Sequence, residues 1–538
     1  MEWNLANVFE SVCDALPERT IVIQGEKRRT WREFDERAAR LAEAFTAAGL
    51  APDSKVASYL YNCNEYNEGV YATFKMSGVA VNVNYRYLED ELVYLLDNSD
   101  AEALLFHTSL GERVAKVRDR APRVKLWIQV DDGSPRVDFA VEYEELLARH
   151  EPMARIERSG RDLYFLYTGG TTGMPKGVMW RHEDLWQVLG LPAFTLAGSP
   201  PPTTPEAVGP AAKAIVDAGA NRVHLPASPL MHGTGAFSSF QAMFIGAAVV
   251  TLVGRHFDPD ELWSTVQRER VTNLAIVGDA FAKPMLRALQ EAEARGHPYD
   301  ISSVQLVISS GVIWSAEVKR GLMQYGGFVC LDSLGSSEGV GFAGSISAPG
   351  SEQKTAKFTI GEHTKVFTED GTEVTPGSGE VGRLAVGGPI PVGYYKDAEK
   401  SEATFLEIAG ERWSVPGDFA SVEVDGSITL LGRGSVVINS GGEKVFPEEV
   451  EEAVKRHPAV ADCIAVGVAD ERFGEAVTAV VSLRPGEDAS VADLEAALEA
   501  LARYKRPRQF VFVTEVMRGP NGKADYKWAK AAAETKLV

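Results

Sequence analysis

Residues 167–177 read Tyr167-Thr168-Gly169-Gly170-Thr171-Thr172-Gly173-Met174-Pro175-Lys176-Gly177, straight after the apolar run Leu163 to Tyr167. Gly169, Gly170 and Gly173 let the backbone approach a ligand closely and aim several N–H groups one way. Thr168, Thr171 and Thr172 add hydroxyl donors, and Lys176 adds a positive charge. Together they form a donor set suited to a polyphosphate. This is not the G-x-x-x-x-G-K-[ST] loop of the common nucleoside triphosphatases, because Pro175 falls where that pattern needs glycine. A polar turn between a strand and a helix accounts for the composition alone, but not for the whole pattern.

Outward from this segment the chain alternates short apolar runs with helical patterns. Buried strands are expected at 56–61, 103–106, 126–130, 163–167, 274–277, 304–308 and 328–331. Thr30-x-x-Glu33 is a capping box, with Phe34, Ala38, Leu41, Ala42 and Phe45 at helical spacing behind it. That alternation predicts an α/β fold with largely parallel sheets. Ser199 to Pro210 carries five prolines and is expected to be a surface loop or lid. Beyond about residue 360, Asp370-Gly371 and Asp425-Gly426 sit between β-type runs and predict hairpins. Past Gly432, Pro447-Glu448-Glu449 opens a helix. Strands follow at 463–468, 477–483 and 510–513, with a helix over 491–503. The expectation is a large body, residues 1–432, of mixed sheets with packed helices and a β-rich subdomain. A small α+β domain, residues 433–538, completes the chain.

Composition excludes several classes of function. With 538 residues, 45% hydrophobic and 24% charged, and only 50 glycines and 27 prolines, the chain is an ordinary globular one of two to four domains. A net charge of −20 repels a phosphate backbone, and no long basic run offsets it, so no nucleic-acid partner is expected. A nucleotide would need local cations or a metal. Cys13, Cys63, Cys330 and Cys463 form no C-x-x-C pair, which argues against zinc and against a disulfide framework. The apolar stretch Ala242 to Val253 is too short to cross a bilayer, which needs about 20 residues. The N-terminus has no apolar signal region. A soluble cytoplasmic protein without an integral membrane segment is expected, and a homo-oligomer is compatible with these residues.

Further motifs follow in order: Leu230-Met231-His232-Gly233, Gly335-Ser336-Ser337-Glu338, Pro416-Gly417-Asp418, Gly432-Arg433, Ser440-Gly441-Gly442-Glu443-Lys444 and Pro520-Asn521-Gly522-Lys523. With YTGGTTGMPKG they resemble, along nearly the whole chain, the AMP-forming acyl-CoA synthetases of the adenylate-forming superfamily. The subgroup resembled is the actinobacterial ligases of fatty-acid and sterol side-chain catabolism, through residues 178–184 and 432–436.

The resemblance implies ATP, Mg²⁺ and CoA as cofactors and a carboxylic acid as partner. The acid is first activated to acyl-AMP with release of pyrophosphate, then transferred to the thiol as AMP leaves. In that scheme Lys523 bridges carboxylate and α-phosphate, Glu338 holds Mg²⁺, and Asp418 with Arg433 binds the ribose. Gly311, Val312 and Asp332-Ser333-Leu334-Gly335-Ser336-Ser337 complete the nucleotide site. His232, Gly233, Thr234 and Gly311 line the acyl pocket, and Ser440, Gly441 and Gly442 line the thiol path after the small domain rotates. The charges make chemical sense. Two anions ~4 Å apart repel by roughly 4 kcal/mol at an effective dielectric near 20, so cations are needed along the reaction path.

The family pattern is not followed everywhere. Leu334 replaces an adenine-stacking ring, Ser337 a threonine, Pro416 a threonine, and Ser435 a hinge Asp or Lys. Taken singly, Lys523 is equally a solvated lysine, Asp418 a turn residue and His232 a buried structural histidine. Gly335-Ser336-Ser337-Glu338-Gly339 also satisfies G-x-S-x-G, a hydrolase elbow that would make Ser337 a nucleophile. Gly339-x-Gly341-x-x-Gly344 satisfies a dinucleotide fingerprint. Both need a helix directly afterwards, and residues 339–350 cannot form one. A serine hydrolase and a non-catalytic nucleotide-binding protein are the alternatives from other classes.

Overall fold

The computed structural model describes residues 1–168, 174–220, 222–312, 314–351, 355, 357–440, 443–470, 474–498, 501, 503–519 and 522–536, without the side chains of Arg433, Ser435, Asn439, Glu443, Lys444 and Lys536. The chain divides into two compact units. One holds residues 1–341, 346–353 and 387–414; the other holds 342–345, 354–386 and 415–538.

The first unit contains two sheets. In one, the parallel strands Thr20–Gln24, Ala248–Thr251, Val223–Pro226, Asn273–Ile276, Leu306–Ser310 and Val329–Ser336 lie side by side, with Lys27–Thr30 antiparallel at the edge. Their apolar runs are buried under helices such as Pro259–Glu269 and Gly278–Ala294, with Trp263, Leu274, Met285 and Val307 at the centre of the core. The chain winds outward in both directions from Val223–Pro226, so the carboxyl ends of Val223–Pro226 and Asn273–Ile276 flank a topological switch point, where α/β folds place their ligands. The second sheet orders Gly393–Tyr394, Lys176–Arg181, Leu163–Thr168, Val79–Asn82, Lys55–Tyr59, Ala101–His107, Leu126–Val130 and Val141–Glu142.

Helix Trp31–Ala47 starts at the expected capping box, Thr30 and Glu33 each bonding the other's backbone N–H. The proline-rich segment differs from expectation. Pro205–Ala207 is one 3₁₀ turn that runs into helix Val208–Asp217, because proline is tolerated in a first helical turn, where its missing N–H has no partner to lose. It is packed rather than lid-like: the Gly209 N–H donates to Ser11 Oγ at 3.0 Å, and Ser11 Oγ donates to the Glu206 carbonyl at 3.1 Å.

In the second unit, Asp418–Val422 and Ile428–Arg433 form an antiparallel hairpin that turns at Asp425-Gly426. A terminal sheet follows, in which Gly474–Leu483 pairs with Val460–Asp470, Ile438–Ser440 and Gln509–Val513. Helices Pro447–Lys455 and Tyr526–Lys536 pack on Val460–Asp470. The helix expected over 491–503 spans Val491–Ala497, and a 3₁₀ turn occupies Arg503–Lys505. Among the described residues, no helix is long and apolar enough to cross a membrane.

Candidate active site

Strand Leu163–Thr168 and strand Lys176–Arg181 are antiparallel, with Thr168 opposite Lys176 and Tyr167 opposite Gly177. The glycine-threonine loop is therefore the connection of a β-hairpin, not a strand-to-helix turn. Gly169, Gly170, Thr171, Thr172 and Gly173 themselves lie outside the described residues. Gly177 is required by packing, since a Cβ there would meet the Tyr167 ring at 2.7 Å. Lys176 projects beside Asp397, 3.1 Å away, with its ammonium 5.5 Å from the Tyr394 ring centre.

The histidine motif leaves the carboxyl end of Val223–Pro226. His232 has extended backbone (φ −112°, ψ 151°) and occupies the N-cap position of helix Gly233–Phe244. Gly235 is small for a backbone reason: a Cβ would lie 2.4 Å from the Pro229 carbonyl oxygen. At Gly233 the nearest atom would be 3.4 Å away, in ordinary contact range, and Thr234 follows it half-buried.

A buried side chain that sequence reasoning missed ties the two motifs together. Asn82, at the end of Val79–Asn82, accepts from the Tyr167 N–H (2.5 Å) and donates to the Tyr167 carbonyl (2.9 Å) and the Met231 carbonyl (2.5 Å). Asn62 holds the same loop through Ser228 and Leu230.

Gly311 follows strand Leu306–Ser310 with φ +90°, in the region that favours glycine, and Val312 follows it half-buried. Asp332, Ser333, Leu334, Gly335 and Ser336 lie on Val329–Ser336. Asp332 is buried against Lys319, and burial raises its pKa to about 6 despite that cation. After Ser337 the chain continues as strand Gly339–Ser347. The hydrolase elbow and the dinucleotide fingerprint therefore both lack their helix, and the Ser337 carbonyl accepts from Trp180 Nε1 at 3.0 Å. Glu338 is fixed on three sides. Tyr394 Oη donates to its Oε1 at 2.8 Å, Ser414 Oγ donates to its carbonyl at 2.6 Å, and its own N–H donates to Ser336 Oγ at 3.2 Å. Among the described residues no three His, Cys, Asp or Glu side chains form a metal cage. One anchored carboxylate nonetheless suits Mg²⁺, which takes one or two protein carboxylates and completes its shell with phosphate oxygens and water.

A narrow cavity of about 40 Å³ lies along the same helix. Ser238, Gln241, Ala242 and Ile245 line it from the helix side, and His224, Asn273, Leu306 and Ile308 from the sheet. Alternate residues of a strand share a face, so the face bearing Leu306 and Ile308 continues to Ser310, next to Gly311. His224 Nε2 lies 3.0 Å from Ser238 Oγ, and burial lowers the His224 pKa to about 4.

In the second unit Asp418 and Arg433 are opposite partners across the hairpin, and the Gly434 N–H closes on the Gly417 carbonyl at 2.9 Å. Gly432 adopts φ +119°. Ser440 is buried, and among the described residues its Oγ has no hydrogen-bond partner; Gly441 and Gly442 lie outside the described residues. Lys523 is exposed, in a turn closed by a bond of 2.7 Å from the Gly519 N–H to the Lys523 carbonyl.

Residues 9–395 match the family described as AMP-binding enzyme, and residues 449–523 match the AMP-binding enzyme C-terminal domain. The chain is 44% identical, over 98% of its length and 96% of the relative's, to the 3-oxocholest-4-en-26-oate–CoA ligase of Rhodococcus rhodochrous. It is 42% identical, over 99% and 96%, to the medium/long-chain-fatty-acid–CoA/3-oxocholest-4-en-26-oate–CoA ligase of Mycobacterium tuberculosis. In fold it resembles ATP-bound MatB from Rhodopseudomonas palustris (TM-score 0.82, 23% identity, 100% of both chains). It also resembles the anthranilate CoA ligase AuaEII with anthranoyl-AMP (TM-score 0.83, 21% identity, 99% and 98% of the chains). The two matched segments and the near full-length relatives lead to one conclusion: the chain belongs to the AMP-binding enzyme family, as an AMP-forming acyl-CoA synthetase.

Proposed function

We propose that this enzyme couples ATP cleavage to the activation of a fatty or steroid side-chain carboxylic acid and transfers the acyl group to CoA. The observation that carries the acid class is the 44% identity, over nearly the whole chain, to a ligase named for a steroid acid.

In the first half-reaction a carboxylate oxygen attacks the α-phosphorus and pyrophosphate leaves. The hairpin loop with Thr168 and Lys176 grips the β- and γ-phosphates, and Asp418 with Arg433 takes the ribose. His232, Gly233, Thr234 and Gly311 orient the carboxylate. Glu338, held by Tyr394, would hold Mg²⁺, which would offset the charge of the phosphates. Lys523 neutralises the attacking carboxylate and the α-phosphate together. In the second half the CoA thiol attacks the acyl carbonyl and AMP leaves, with Ser440, Gly441 and Gly442 beside the thiol path. We place the pivot between the halves at Gly432-Arg433, with residues 1–432 as the body and 433–538 as the cap. ATP, CoA and four free cysteines fit a cytoplasmic enzyme.

Acid-dependent exchange of labelled pyrophosphate into ATP, run over fatty, aromatic and 3-oxo-steroid acids, tests the reading. Exchange with the fatty or steroid acids is expected. Exchange with none, or ATP binding alone, overturns it in favour of a nucleotide-binding protein.

A further inference from the structure

The segment bearing Lys523 is anchored on both flanks by half-buried polar contacts to one strand and its covering helix. On the N-terminal flank Arg518 forks onto Asp462 of strand Val460–Asp470, with Nε and Nη2 at 2.6 and 2.8 Å from the two carboxylate oxygens. Its remaining nitrogen, Nη1, donates to the Gly522 carbonyl at 3.2 Å. One guanidinium thus joins the sheet to the peptide immediately before Lys523. Asp462 cannot drift, because its Oδ1 also accepts from the Cys463 N–H at 2.8 Å. The described residues on either side of the turn also bond one another. Arg518 and Ala524 form an antiparallel bridge, Gly522 sits at φ +73°, and its N–H donates to the Gly519 carbonyl at 2.9 Å. On the other flank, Asp525 caps the helix that starts at Tyr526, through the Trp528 N–H at 2.9 Å. The charge of Glu451, a buried carboxyl that accepts from the Ala465 N–H at 3.1 Å, helps to raise the pKa of the Tyr526 phenol, which burial raises most.

We infer that Arg518, held by Asp462, is a positioning residue for adenylation: it sets where the exposed Lys523 ammonium can stand. A surface lysine carries four rotatable side-chain bonds, so its reach is useful only if its backbone is fixed. The planar guanidinium fork supplies the direction that a lone cation in its place would not. Burial opposes the Asp462 charge, yet the fork holds its pKa below the usual carboxylate value. The pair therefore stays ionised throughout the working pH range.

This inference rests on the proposed role of Lys523. The full-length enzyme and its Arg518→Ala, Arg518→Lys, Asp462→Asn, Lys523→Ala and Arg518→Ala/Lys523→Ala variants should be compared in two assays: acid-dependent pyrophosphate exchange, and thioester formation from supplied acyl-AMP and CoA. Arg518→Ala is expected to lower the exchange kcat by about 10- to 100-fold, the scale of a misplacement near 1 Å. The KM values for ATP and acid should change little, and thioester formation should hold within about twofold. Arg518→Ala should add nothing to Lys523→Ala, and Arg518→Lys should recover only part of the loss. If Arg518→Ala does not fold, the isosteric Asp462→Asn carries the same expectation. Equal loss in both assays, or losses that multiply with Lys523→Ala, would overturn the inference. So would normal exchange in Arg518→Ala or Asp462→Asn while Lys523→Ala is impaired. Normal exchange in Lys523→Ala itself would instead overturn the role of Lys523, and this inference with it.

Discussion

The Tyr394 hydroxyl stands 2.8 Å from Glu338 Oε1 and orients the carboxylate proposed to hold Mg²⁺. Tyr394 stays in place because Gly393-Tyr394 adds a short strand beside Lys176–Arg181, so the phosphate hairpin carries its own clamp. Tyr394→Phe removes a hydrogen bond to a charged group, an interaction of about 1.5–3 kcal/mol. The Mg²⁺ concentration for half-maximal rate should rise about tenfold or more. An Mg²⁺ titration of pyrophosphate exchange checks it, and an unchanged midpoint would remove Tyr394 from the site.

Lys523→Ala should abolish acyl-AMP formation yet still convert supplied acyl-AMP and CoA to thioester. The charge it offsets exists only while carboxylate and α-phosphate approach each other. Single-turnover assays of each half-reaction measure the two separately. Equal loss in both would contradict this division of labour.

Asn82→Ala leaves the Tyr167 N–H without its acceptor and removes the donor to the Tyr167 and Met231 carbonyls. Leaving buried polar groups unsatisfied costs about 1–3 kcal/mol each. Both the phosphate loop and the histidine loop should loosen, so KM should rise for ATP and for the acid alike. A rise for one substrate only would show that the tether serves a single loop.

Acid should destabilise the first unit over a defined window. Burial holds the His107 and His224 pKa values down at about 4, and that of His182 at about 3. Unfolded histidines take up protons near 6.5, so between that pH and about 4 the unfolded chain binds more protons than the folded one, and stability falls as pH falls. His107 and His224 each account for roughly 3 kcal/mol, and His182 for roughly 5, once the window has been crossed. Asp332, raised to about 6 by burial, works in the opposite sense: its contribution falls as pH rises from its unfolded value toward 6. His224→Asn should flatten the pH dependence of Tm between pH 6.5 and 4.5, and an unaltered slope would argue against a neutral buried imidazole there.

Gly432→Ala tests whether the hairpin end requires glycine. At φ +119° a Cβ would lie 2.0 Å from Glu448 Oε2. Glu448 can swing aside, but the backbone strain of about 1–3 kcal/mol stays. A lower Tm for the second unit is expected by differential scanning calorimetry, and a wild-type trace would show that the backbone relaxes.

What was legible in the sequence was local. The Thr30 capping box, the Asp425-Gly426 turn and the proline-led helix at 447 are encoded by residues one to four apart, and each forms where expected. The strand Ala248–Thr251 was hidden inside an apolar run that begins in the preceding helix, because short buried strands and helix ends share the same composition. Asn82 was illegible for a different reason. Its partners lie 85 and 149 residues away, and nothing near it in the chain announces them. Asp397 and Tyr394 meet the phosphate hairpin only through the sheet edge. The short Pro205–Ala207 turn was misjudged because counting prolines ignores where in a helix they fall.

The packing of Ser11 against Gly209 bears on how the protein can be shortened. A Cβ at 209 would stand 1.9 Å from the Ser11 carbonyl oxygen, so these two segments touch backbone to backbone. Helix Leu5–Ala15 also delivers Glu10, the buried counter-ion of Lys75 and Arg158 at 2.8 and 3.0 Å. Trimming to residue 9, where the family match begins, would cut this helix in its second turn, take Asn7 away from Arg158 and loosen Glu10, which shares Lys75 with Asp35. Loosening buried ionic contacts of that kind is destabilising, so the leading eight residues behave as a keystone and not as a tail to be discarded.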